Sequence, residues 1–235
     1  MPVLDVDSFV AREGEFITII GPSGCGKSTL LHIMGGFIPA DSGTIRVYGH
    51  AVNGPGPDRG MMFQEFALFP WKTVAGNVAW GLEAQGYARA EIEDTVRAYL
   101  DLMGLAEFKN HYPAEISGGM KQRVALARVL AFNPKVLLMD EPFGALDAQT
   151  RETMQEEVTR IWERTRKTIV FVTHDIEEAV FLGDRVVVLS ARPGRIREDI
   201  RIDLPRPRTV EIKKSTRCHE YRNTIWDLIR SESRA

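Results

Sequence analysis

The sequence predicts an α/β fold, with a mainly parallel sheet interrupted by a helical insertion. Three observations carry this reading. VLLMD, TIVFVT and RVVVLS, beginning at Val136, Thr168 and Arg185, are nearly continuous apolar runs, as parallel strands covered on both faces require. A glycine-rich loop, GPSGCGKST from Gly21 to Thr29, stands between the β-rich EFITII and the helical-looking KSTLLHIMGG, which reads strand, loop, helix. From Thr73 to Leu130 the pattern is helical, with no strand signal until Val136.

Taken in order, VLDVDSFV alternates and predicts a strand ahead of EFITII. After the first helix, TIRVYG and GMMF predict two short strands separated by the turn-forming NGPGPDRG. AEIEDTVRAYLDLMGL is a helix of the insertion. Between the first two of these apolar runs, Met154, Val158, Ile161 and Trp162 share one helical face, and Tyr221, Ile225, Leu228 and Ile229 do the same near the end. Both stripes are expected to be core. LPRPR, from Leu204, is too proline-rich for regular structure and reads as a solvated connector. No repeat or linker divides the chain, so 1–235 is expected to be one domain, with a core over about 1–72 and 132–235 and a helical subdomain over about 73–131.

Composition narrows the function classes. The chain has 235 residues, 44% hydrophobic and 26% charged, close to globular averages and unlike a disordered chain. With 30 basic and 32 acidic residues mixed along it, the net charge of −2 offers no footprint for nucleic acid. Any anion must be met by a local site. Two distant cysteines, Cys25 and Cys218, make no disulfide framework and suit a reducing compartment. No apolar run of about 18 residues could span a bilayer, and MPVLDVDSFV lacks the positive start of a signal peptide.

The loop supplies the anion site. Gly21, Pro22, Ser23, Gly24, Cys25, Gly26, Lys27, Ser28 and Thr29 match the P-loop pattern of glycine, four residues, then glycine, lysine and Ser/Thr, in its required place after a strand and opening a helix. Its backbone N–H groups turn inward while the new helix offers the positive end of its dipole to phosphate. Lys27 reaches the outer phosphates, and the Ser28 hydroxyl suits Mg²⁺. The chemistry is completed by KVLLMDEP, which delivers Asp140 and Glu141 at the carboxyl end of a strand, where ligand crevices of α/β sheets form. Asp140 is placed to hold Mg²⁺ and Glu141 to orient or deprotonate an attacking water. His174 closes the neighbouring run TIVFVTH and is a candidate for contact with the γ-phosphate or the water.

ISGGMKQR, from Ile116 to Arg123, follows the helical insertion. Together with GPSGCGKST, Gln64 in MMFQEFALFPW, VLLMDEP, the ALD ending at Asp147, and His174, it gives the chain a resemblance over essentially its whole length to the ATPase subunits of ABC transporters. That resemblance implies ATP and Mg²⁺ as cofactors and a P-loop NTPase core. Gln64 resembles the glutamine that touches Mg²⁺ and reports to the membrane subunits. Ser117, Gly118 and Gly119 resemble the signature that binds the γ-phosphate held by a second copy, and Asp147 the residue that joins the two half-sites. Glu141 and His174 resemble the general base and the switch histidine.

The family further implies a head-to-tail dimer around two ATP molecules. Its closure drives transmembrane permease subunits, with a solute-binding protein outside and the ATPase peripheral on the cytoplasmic side of the inner membrane. FPWKTVAGNV, LSARPGRI and DLPRPR are similar to the nitrate, sulfonate and taurine importer group. Phe69 and Trp71 are then either a contact with the permease or core of the helical segment. The alternative function is a soluble ATPase of the same family acting on nucleic acid or ribosomes, whose long coiled-coil insertion or doubled ATPase halves have no counterpart here. A P-loop kinase is opposed by ISGGMKQR. The resemblance also implies a strand and an adenine-stacking aromatic well ahead of the loop. Only twenty residues precede Gly21, with Phe9 expected to face the core, so either the start lies upstream or ATP binding is weak.

Overall fold

In the computed structural model, which describes residues 2–232, six strands form the central sheet in the order β4-β5-β6-β1-β7-β8. They are β1 (Phe16–Ile20), β4 (Arg59–Met62), β5 (Val136–Asp140), β6 (Thr168–Val172), β7 (Arg185–Leu189) and β8 (Ile196–Arg201). All neighbours pair in parallel except β7 and β8. The central strands β1 and β6 are buried along their whole length, which explains why their sequences do not alternate.

Successive residues nevertheless serve opposite faces. Ile17 and Ile19 pack with Leu138, Val170 and Val172 under Leu30 and Leu31 of α1 (Lys27–Gly35). Phe16 joins Leu137, Met139, Ile169 and Phe171 on the other face. That face is covered by α4 (Gly118–Ala131) and α5 (Ala148–Thr165), whose predicted stripe Met154, Val158, Ile161 and Trp162 is fully buried. Each such aliphatic side chain contributes about 1.5–3 kcal/mol relative to exposure. Thr18, on the same side, donates to the carbonyls of Ala179 and Arg185, tying β1 to α6 (Ile176–Leu182) and β7. α7 (Thr216–Glu232) closes this flank with Ile225 buried and Tyr221, Leu228 and Ile229 packed beside it.

Between β4 and β5 lie α2 (Val74–Ala84), α3 (Arg89–Leu102), two short 3₁₀ turns and α4, as the periodicity predicts. Their apolar residues, among them Val78, Leu82, Leu100 and Leu126, share one continuous core with the sheet face.

Three expectations change. VLDVDSFV is not a strand: it makes a single bridge, Leu4 with Gly194, although Phe9 does pack inward beside the α1 face. Its alternating acids face outward, and Asp5 pairs with Arg195. TIRVYG contributes only β2 (Arg46–Val47), which forms a hairpin with β3 (His50–Ala51) apart from the main sheet. The turn residues Tyr48 and Gly49 both have positive φ, 49° and 81°, the twist such a tight hairpin needs. Finally, LPRPR is not a solvated connector. Arg208 is 3% exposed and donates to the carbonyls of Val180, Phe181 and Gly183, so it satisfies the end of α6, and burial lowers its pKa to about 10. Arg206 stacks 4.3 Å from the Trp162 ring and pairs with Asp184.

Candidate nucleotide site

The sheet brings β1, β6 and β5 side by side, so the segments leaving their carboxyl ends emerge together. From β1 the chain enters the glycine loop. Gly26 has φ 101°, and a Cβ there would lie 2.7 Å from the Leu4 side chain, so both conformation and space demand glycine. Lys27 opens α1 yet is buried, its Nζ donating to the carbonyls of Gly21 at 2.9 Å and Pro22 at 3.1 Å. The amine is thus folded back over the mouth of its own loop. Ser23, Gly24 and Ser28 are exposed, and Pro22 and Thr29 are half-buried. Cys25 turns its side chain into the core, where burial raises its thiol pKa. Only its backbone is available to a ligand.

From β5 comes Asp140. Ser28 Oγ donates to its Oδ1 at 2.9 Å, joining a hydroxyl and a carboxylate that are 112 residues apart. Burial raises the Asp140 pKa, opposed by the Ser28 bond and by the charge of His32. His32 is a residue the sequence reading missed. It lies four positions after Ser28, one helical turn along α1, a spacing that could have pointed to it.

Glu141 follows in the left-handed region at φ 43°, unusual for a residue with a side chain. Its N–H donates to the Val172 carbonyl at 2.9 Å and its carbonyl accepts from Gly144 at 3.1 Å, which hold it there. The conformation brings Glu141 Oε2 2.8 Å from Nδ1 of His174, two residues beyond β6. A carboxylate and an imidazole in contact at adjacent strand ends can together hold and move a proton.

Three other predicted residues lie on separate segments. Ser117 caps α4 by accepting from Met120 N–H at 3.3 Å, with Gly118 and Gly119 in the first turn. Asp147 caps α5 by accepting from Thr150 N–H at 3.0 Å, and this bond lowers its pKa. These two helix starts meet each other: a Cβ on Gly119 would stand 2.7 Å from the Thr150 methyl. Gln64, two residues past β4, is exposed. Nearby, Trp71 is 72% exposed and Trp80 46%, both ringed around half-buried Phe69, with the Arg128 guanidinium 5.7 Å from the Phe69 ring. Of the two readings of Trp71, core and contact surface, exposure favours the surface.

Oxygen ligands suit Mg²⁺, which takes one or two protein groups and leaves its other positions to water and phosphate, and the Ser28–Asp140 pair fits that demand. Among the described residues, no helix is long and apolar enough to cross a membrane.

Comparison with known proteins identifies the family. The family model described as ABC transporter matches residues 4–144. The nitrate import ATP-binding protein NrtD of Synechocystis sp. is 53% identical over 223 residues, spanning 92% of this chain and 84% of that protein. The taurine import ATP-binding protein TauB of Rhizobium johnstonii is 49% identical over 234 residues, 97% of this chain and 89% of that one. Among solved structures, the dimeric ATP-binding cassette MJ0796 in a post-hydrolysis state, bound to ADP and Pi, superposes with a TM-score of 0.74 at 33% identity, covering 86% of this chain and 92% of the other. By sequence, fold and the order of its site residues, the chain belongs to the ABC transporter family.

Proposed function

We propose that this chain is the ATP-hydrolysing subunit of an importer. The observation that carries this reading is the meeting, beside one phosphate loop, of the Ser28–Asp140 and Glu141–His174 pairs. The loop backbone of Gly21–Thr29 and the start of α1 hold the phosphates. Lys27 leaves the Gly21 and Pro22 carbonyls for the outer phosphates when ATP arrives, exchanging neutral acceptors for charged ones. Ser28, Asp140 and Gln64 hold Mg²⁺, whose charge offsets that of the phosphate oxygens. Glu141 draws a proton from the water that attacks the γ-phosphorus; the bond to the β–γ bridging oxygen breaks, giving ADP and phosphate. His174 positions the Glu141 carboxylate and contacts the γ-phosphate.

The chain acts as a single ATPase domain, with 73–131 as its helical subdomain. Ser117, Gly118, Gly119 and Asp147 serve the nucleotide held by a second copy, so the working unit is a homodimer. Trp71, Trp80 and Phe69 meet the permease subunits, which hold the dimer on the cytoplasmic side of the inner membrane and receive solute from an extracytoplasmic binding protein. The solute is nitrate, taurine, a sulfonate or a similar small molecule, a reading supported by the nitrate and taurine import relatives. A role on nucleic acid or ribosomes has less support, because the relatives named by their function, NrtD and TauB, are import ATP-binding proteins.

The test is ATP hydrolysis by the chain with its permease. Glu141→Gln should lower turnover at least on the order of a hundredfold while retaining bound ATP and accumulating dimer. Full turnover in that variant would refute the assignment of the base.

A further inference from the structure

The loop that follows β7 touches the phosphate loop from outside. Arg192 Nε donates to the Gly24 carbonyl at 2.9 Å. Two residues on, Gly194 backs against the same loop so tightly that a Cβ there would lie 2.1 Å from the Cys25 carbonyl oxygen. This outer loop is anchored in turn by the last turn of α7. The Ala191 N–H donates to Glu232 Oε2 at 2.8 Å, while Arg197 pairs with the other oxygen of Glu232 and donates to the Leu228 carbonyl at 2.9 Å. A continuous set of contacts therefore runs from the end of the C-terminal helix to the phosphate loop.

The Gly24 carbonyl and the Cys25 N–H belong to one peptide unit. A guanidinium drawing on the oxygen polarises that unit and strengthens its N–H as a donor, and the bond also fixes the orientation of the peptide plane. The Cys25 N–H makes a long backbone contact, 3.3 Å to the Pro22 carbonyl, which leaves donor capacity for an anion.

We propose that Arg192 is a positioning residue for nucleotide binding, orienting and polarising the Gly24–Cys25 peptide, and that Glu232 seats it from the end of α7. This rests on the loop being the ATP site. Because the effect is on holding phosphate, it belongs to affinity and not to the chemical step. Equilibrium binding of MgATP and MgADP to the full chain, together with ATPase kinetics and thermal unfolding, tests it. Arg192→Ala should weaken both nucleotides by roughly three- to tenfold and raise KM alike, with kcat changed by less than about twofold. Arg192→Lys, which keeps the cation, should recover part of the loss. Glu232→Ala should act in the same direction but less, and the double variant should be no worse than Arg192→Ala alone, since both changes release one contact. Unchanged affinity in Arg192→Ala, with or without a lower melting temperature, overturns the proposal, as does a fall in kcat at constant KM. Additive losses in the double variant overturn the part given to Glu232. Failure of the wild-type chain to bind either nucleotide would instead refute the ATP-site reading beneath it.

Discussion

The phosphate-loop end of the site and the signature end differ in where their polar groups find partners. At the first end, contacts cross between elements distant in sequence: Ser28 with Asp140, Glu141 with His174, Arg192 with Gly24. At the second, Ser117 and Asp147 are exposed, and their side chains accept from N–H groups three residues ahead on their own helices. The first end is organised by the tertiary fold of one chain. The second is organised locally, as two helix starts pressed together and turned to solvent, each carrying the positive end of a dipole. That difference fits the proposed division of the site, in which one chain binds the nucleotide and turnover needs a second surface.

Variants at the two ends should therefore separate binding from turnover. Lys27→Ala removes the ammonium folded over the mouth of the loop and should weaken ATP binding to the isolated chain by about 2–5 kcal/mol, roughly 30- to 4,000-fold. Ser117→Arg places bulk and charge at the exposed start of α4. It should leave isolated-chain affinity within about twofold and lower turnover of the assembled transporter by on the order of a hundredfold or more. Titration of the purified chain with ATP, set beside steady-state hydrolysis, reads both quantities. An equal loss of affinity in the two variants would break the comparison.

A smaller effect probes how the two helix starts hold each other. Gly119→Ala would put its Cβ 2.7 Å from the Thr150 methyl, and a β-branched side chain at the start of a helix has little room to yield. The expected cost is about 1–3 kcal/mol, partly offset by the better helix propensity of alanine. Thr150→Ser deletes that methyl and should restore most of the loss in a double-mutant cycle measured by urea unfolding. Additive costs would mean that the contact between α4 and α5 is not what places these residues.

The phosphate-loop end was far more legible in the sequence than its surroundings. Asp140, Glu141 and His174 could be placed at strand ends because VLLMD and TIVFVT are buried on both faces and so uniformly apolar. Their juxtaposition then follows from β5 and β6 pairing in parallel. Helix stripes such as Met154 to Trp162 were equally plain, since the 3.6-residue period survives wherever one face is buried. What escaped was anything decided by a distant partner. VLDVDSFV alternates like a strand, but alternation names a face and not a neighbour, and among the described residues its backbone pairs with another backbone segment at Gly194 alone. The arginines of LPRPR read as solvated because nothing local shows that Arg208 will reach the carbonyls at the end of α6. Arg192 gave no sign in the sequence of its contact with Gly24, 168 residues away. His32 alone carried a local clue, its one-turn spacing from Ser28.

The smallest expected effect concerns the exposed cap at Asp147. Its carboxylate accepts from Thr150 N–H, and that bond holds its pKa below the ordinary 3.8. A carboxyl with a depressed folded-state pKa contributes stability that is present above the unfolded value. The contribution is lost as pH falls through the folded value, where the proton competes with the N–H for the oxygen. Asp147→Asn keeps an acceptor at the cap but no titrating group. Wild type should therefore exceed Asp147→Asn in its urea midpoint at neutral pH, and the gap should close progressively as pH falls from about 5 through 3.8 and the lower folded value, because the acid-side loss belongs to the carboxylate alone. Salt should narrow the gap at neutral pH, since this charge faces solvent at a helix start. A gap that stays constant down to low pH would mean that Asp147 holds α5 by shape and hydrogen bonding without its charge. The charge would then be free of a structural task and left to the partner chain.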